Sequence, residues 1–206
     1  MTKDFIAELK KLPYEMYVAP KPYSFELNED MIQLLRNEYN ADKVSDALVS
    51  ALKGKPKSDI KKIADAFFKE MGTKWMKKTI QMGEEYSDRT IEVIMETVDR
   101  KGVQFMVFPL AYQRFLEIAY LSTQEFLKLP LTLNNKDEMS YRVPRCALYG
   151  KIMEKCGEDT AKLMTCKNYC WTALETLQKH MGKEVLLGMP ASTAKDNFCE
   201  FSIKKL

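Results

Sequence analysis

Apolar residues recur along this chain at two spacings, and the spacing changes near residue 125. Before that point the intervals are helical. Phe5, Ile6, Leu9 and Leu12 make a first stripe, followed by an extended, tyrosine-bearing arm set by Pro13, Pro20 and Pro22. Asn28-Glu29-Asp30 starts a helix whose stripe is Met31, Leu34, Leu35 and Tyr39, the acidic residues suiting the positive end of the helix dipole. A second helix is expected over residues 41 to 53, stopped by Gly54 and Pro56. Ser58-Asp59 caps the longest periodic run, Ile60, Ile63, Phe67, Met71, Trp75 and Ile80, which predicts a helix to about residue 82. Ser87-Asp88 caps another, with Ile91, Ile94, Met95 and Val98 inside and Gly102 as terminator. Pro109 suits the first turn of the next, striped by Ala111, Phe115, Ile118 and Leu121.

From residue 125 the period shortens. Phe126, Leu127, Leu129, Leu131 and Leu133, then Asn134-Asn135-Lys136-Asp137, then Met139, Tyr141 and Val143 read as a hairpin. Helical spacing returns over residues 145 to 155, and a longer helix is expected over residues 159 to 181, before Gly182. Two last strands, near residues 184 to 189 and 198 to 203, flank a connection over residues 190 to 197. The expected fold is α+β: N-terminal helices followed by a four-stranded antiparallel sheet, with helices inserted between its two hairpins. The expected organisation is one domain, comprising an arm to residue 27, a helical part over 28 to 122 and an α+β part over 123 to 206.

Composition narrows the function classes. Lys and Arg number 32 against 29 Asp and Glu, finely mixed, so no basic face is expected for nucleic acid. No segment approaches the roughly 18 apolar residues of a membrane span, and the N-terminus has no signal-peptide run, so a cytoplasmic protein without a membrane partner is expected. Five cysteines, an odd number in no staple pattern, read as reduced thiols. Glycine-rich phosphate loops are missing, which disfavours nucleotide cofactors. His180 is the only histidine and falls beside a helix C-terminus, where the dipole explains it. Glu84 and Glu85 read as a solvated turn.

The candidate chemistry lies in the last third. Cys146 follows Pro144-Arg145 at a helix start, where the dipole and a neighbouring cation are expected to depress a thiol pKa, making it the leading nucleophile candidate. Cys166 and Cys170 are four apart on one expected helix and share a face, a spacing compatible with metal binding and with core packing alike. Cys199 stands on the last strand, pointing away from Phe198, in core or in site.

Arg145-Cys146, Thr165-Cys166-Lys167-Asn168-Tyr169 and Asp196-Asn197-Phe198-Cys199-Glu200-Phe201 together make the region from residue 109 to 206 resemble the L-2-amino-thiazoline-4-carboxylic acid hydrolase family. The closing strand is also similar to 4-vinyl reductase type small-molecule-binding domains, related in fold to haem-nitric-oxide sensors and a vesicle-tethering subunit. Tyr169 stands where the hydrolases carry an acidic residue, and Lys195-Asp196-Asn197-Phe198 replaces their usual Gly-Asp. The resemblance implies hydrolytic opening of a C–N or C–S bond in a small, cyclic amidine-like heterocycle. Cys146, Cys166 and Cys199 would form the catalytic thiol cluster and Arg145 would pair with a substrate carboxylate. A divalent metal activating water is equally compatible. The alternative is a non-enzymatic small-molecule or tetrapyrrole binding and sensor module, for which the Met, Phe and Tyr content suits an apolar pocket. A third option is a structural partner whose arm, residues 13 to 27, docks on another subunit, a homo-oligomer included.

Overall fold

The computed structural model describes residues 29–85, 107–124 and 128–206. The arm, the helix expected over residues 87 to 102, and Phe126 and Leu127 of the first hairpin lie outside them. The fold class is as expected, helices first and a four-stranded antiparallel sheet near the C-terminus.

Helix α1 (Glu29–Tyr39) turns at Asn40 into α2 (Ala41–Leu52). Asn40 caps α2, its Oδ1 accepting the Lys43 N–H at 2.9 Å. Such a cap satisfies one of the N–H groups that a helix start leaves orphaned. A short 3-10 turn, Lys57–Asp59, leads into α3 (Ile60–Glu85). Helix α3 outruns its expected end by three residues, so Glu84 and Glu85 close a helix rather than forming a turn, though both are exposed. Pro109 lies in a turn, Val107–Ala111, that enters α4 (Tyr112–Thr123).

Strands β1 (Leu131–Asn134) and β2 (Glu138–Val143) form the expected hairpin. Asn135 sets its turn by accepting the N–H groups of Asp137 at 2.9 Å and Glu138 at 2.8 Å on its side-chain oxygen, as turn asparagines do. Then come α5 (Ala147–Cys156), α6 (Glu158–Leu163), α7 (Lys167–Met181), β3 (Val185–Ala191), α8 (Thr193–Asp196) and β4 (Cys199–Lys205). The single helix expected over residues 159 to 181 is therefore two, separated at Met164, which is extended (φ −95°, ψ 146°) and buried. Burying Met164 and Ala161 against the core outweighs continuation of the helix, and neither glycine nor proline marks the break. The connection before the last strand carries the short helix α8.

The strand order is β1-β2-β4-β3, so the two hairpins meet at the centre. There Met139 faces Ile203, Tyr141 faces Phe201 and Val143 faces Cys199, all buried. Alternate residues turn outward, where Arg142 pairs with Glu200 at 3.3 Å and lies 4.9 Å from the Phe198 ring centre. This period-two division is what one solvated face requires.

Against the inner face lie α4, α7 and the long α3. A continuous series of aromatic rings crosses this core: Tyr169 stacks on Trp75 (centres 4.9 Å apart, planes at 14°), and Trp75 meets Tyr120 edge-on at 5.4 Å. Tyr120 then meets Tyr141 at 5.4 Å, and Tyr141 lies on Phe201 at 5.1 Å. Helices α3 and α7 cross so closely at Gly72 that a Cβ there would collide with the Tyr169 carbonyl oxygen. Gly72 thus holds the Trp75–Tyr169 stack in place.

Candidate functional site

The sequence-predicted cysteines arrive from three separate starts of elements. Cys146 is the N-cap of α5, Cys166 precedes the first residue of α7 with Cys170 one turn on, and Cys199 opens β4. Their juxtaposition follows from strand order. Because Val143 pairs with Cys199, the chain leaving β2 through Pro144-Arg145 delivers Cys146 to the end of the sheet where β4 begins. Gln124, at the end of α4, fixes that delivery by accepting the Ala147 N–H at 2.9 Å. The extended Met164 then turns the chain so that Cys166 and Cys170 face the same region.

The four sulfurs lie within electrostatic reach of one another. Charge on Cys199 acts on Cys146, Cys166 and Cys170, and charge on Cys146 acts on Cys166 and Cys170. They do not converge on a single point: among the described residues no three His, Cys, Asp or Glu side chains stand close enough to hold a metal ion.

Their protonation differs from the expectation. Burial pushes the Cys146 thiol up to about 11, outweighing the Tyr149 N–H that reaches its sulfur at 3.4 Å. Arg145, expected to help depress it, is exposed and has no ion-pair partner among the described residues. The helix start does supply a donor to the sulfur, but desolvation favours the neutral thiol and wins. Burial likewise raises Cys166, with the charges of Cys146 and Cys199 adding to it. Cys170 is raised well above the ordinary thiol range by burial first, despite a hydrogen bond from the Tyr120 hydroxyl. Cys146, Cys166 and Cys170 nevertheless keep part of their surface in solvent.

Cys199 is 6 % exposed and has a different environment. The Thr193 N–H donates to its sulfur at 3.2 Å, and the Thr193 hydroxyl lies 3.0 Å from it. Thr193, six residues earlier on α8, has no mark in the sequence that links it to Cys199.

Tyrosines complete the surroundings. The hydroxyls of Tyr120 and Tyr141 are hydrogen-bonded at 3.3 Å, and burial holds both phenols protonated, well above the ordinary tyrosine range. Tyr169 is raised in the same way by burial, with Cys170, Tyr39 and Cys146 close enough to contribute. Tyr120 falls outside the apolar stripe expected for its helix, Ala111, Phe115, Ile118 and Leu121, yet it is buried.

His180 is placed as its sequence position indicated, in the last turn of α7, with Nε2 3.3 Å from Glu84 and its ring edge-on to Phe115 at 5.7 Å. Among the described residues no helix is long and apolar enough to cross a membrane. The chain matches no known protein family, no curated protein and no solved structure.

Proposed function

We propose that the chain is a small-molecule-binding module whose ligand sits against Cys146, Cys166, Cys170 and Cys199. The observation that carries this reading is the gathering of those thiols beside buried tyrosines, with burial keeping Cys146, Cys166 and Cys170 protonated. A neutral thiol is a weak nucleophile but a soft, polarizable contact surface. Ligand sites combine such apolar walls with a few placed polar groups, here the hydroxyls of Tyr120, Tyr141 and Tyr169. The test is native mass spectrometry and absorption spectroscopy of the purified protein, alongside thermal shift with a small-molecule set. A bound mass or a shift that Cys146→Ser together with Cys170→Ser removes supports the reading. Absence of any binding, or binding unchanged in that double variant, overturns it.

A second reading, hydrolysis of a C–N or C–S bond in a small heterocycle, is favoured by the donors aimed at two sulfurs. Thr193 supplies them to Cys199, and the Tyr149 N–H supplies one to Cys146. Hydrogen bonds to sulfur stabilise negative charge as it develops there, and exposed Arg145 is free to meet a substrate carboxylate. Turnover of a cyclic amidine that survives Cys146→Ala, Cys166→Ala and Cys199→Ala removes this reading.

A further inference from the structure

Among the described residues several buried hydrogen-bond donors have no acceptor, the Tyr112 hydroxyl included, and two of them share one ring stack. The Trp75 indole N–H and the Tyr169 hydroxyl are both shielded from solvent and unpartnered, on residues 1 % and 5 % exposed. Unpaired buried donors are costly, and native proteins leave few of them. Neither can turn to find an acceptor cheaply. Their rings are stacked at 4.9 Å, Trp75 is wedged edge-on against Tyr120 at 5.4 Å, and Gly72 locks the two helices at this level. The other tryptophan provides the contrast: Trp171 donates its indole N–H to Glu175 at 2.8 Å.

The stack is joined to the tyrosines of the site: Trp75 meets Tyr120 edge-on at 5.4 Å, and the Tyr120 and Tyr141 hydroxyls are hydrogen-bonded at 3.3 Å. The titratable groups that act on Tyr169 and on its ring neighbour Tyr120 are Tyr39, Tyr141, Cys146 and Cys170, every one neutral at neutral pH. An ion placed among them would lose its hydration and find no counter-charge.

Resting on the binding reading above, we propose that the Trp75–Tyr169 stack is the recognition element of the site, its two unpartnered donors serving an uncharged ring that carries hydrogen-bond-accepting atoms. Ligand class is thereby set by what the stack lacks: acceptors, without charge.

Titration of the full chain with pyridine, benzene and benzoate at neutral pH tests this, read by the two indole N–H resonances of 15N-labelled protein. Pyridine carries a ring acceptor without charge, benzene has no such acceptor, and benzoate is charged. Pyridine is expected to move the Trp75 resonance downfield and leave that of Trp171 in place. Tyr169→Phe, which deletes one donor and keeps the ring, is expected to weaken pyridine binding about fivefold, the worth of one hydrogen bond, and benzene binding not at all. Equal binding of benzene and pyridine, unaffected by Tyr169→Phe, overturns the inference while leaving a small-molecule site standing. Preference for benzoate overturns the requirement for an uncharged ligand. Failure of all three to perturb either indole overturns the inference and weighs against the binding reading with it.

Discussion

At the scale of single residues, the decisive quantity is desolvation. Cys146 has the position of an activated thiol and the environment of a silent one. Alkylation of Cys146 by iodoacetamide is accordingly expected to be slow at neutral pH and to accelerate about tenfold per pH unit until about 11. Mass-spectrometric rates across that range check this, and a plateau near neutrality would contradict it. An unfolded thiol ionises near about 8.5 whereas the folded one holds its proton until about 11, so stability falls as the pH rises through that window. Replacing Cys146 with Ala should flatten the alkaline limb of the stability curve. The sequence made Cys146 legible as a candidate because it stands at a helix start, whereas Cys166 and Cys199 were singled out by short motifs that resemble a family. It could not reveal the direction of the shift, because the atoms that strip water from Cys146 come from elements far away in the chain.

At the scale of elements, two contacts fix the pieces around the site. Helix α5 is tied to α2 by Lys155, which reaches Asp42 at 3.1 Å and Asp46 at 2.8 Å, and by Lys151, which reaches Asp42 at 3.2 Å. Lysine hydrogen bonds hold the Asp42 carboxyl below its ordinary range. A carboxylate depressed in this way stabilises the fold above about pH 4, and its contribution disappears as the pH falls further. Hydrogen exchange in α5 should therefore speed up on acidification more in the native chain than in Asp42→Asn. Equal acid sensitivity would show that the pair contributes nothing. The second contact is at Gly72, where Ala has no room against the Tyr169 carbonyl. Gly72→Ala is expected to cost about 1–3 kcal/mol, as overpacking does, read from the denaturant midpoint. Helix and hairpin boundaries were legible where caps and turn residues act locally, as at Asn135. The break at Met164 was not, because buried packing rather than a local breaker ends α6.

At the scale of the whole molecule, helices and sheet are joined by the run of rings from Tyr169 to Phe201. Phe201 is fully buried at its sheet end. Truncation to Ala is expected to remove about 3–5 kcal/mol and to be seen equally by probes of helix and of sheet. Loss of the sheet signal alone would mean that the two layers are less coupled than their packing indicates. The α+β class was readable from the change of period near residue 125. The order of strands was not, because period two says which residues face inward but not which hairpin lies beside which.

That order also bears on how the chain reaches its folded form. Tyr141 and Phe201, neighbours on the two central strands, are sixty positions apart in the sequence. The turns at Asn135 and the helices α5 to α7 form from nearby residues, whereas joining β2 to β4 must close a long loop first. The sheet's middle seam is thus expected to knit late, after local pieces have assembled. Since Cys146 and Cys199 flank that seam, they become neighbours only with the final docking step.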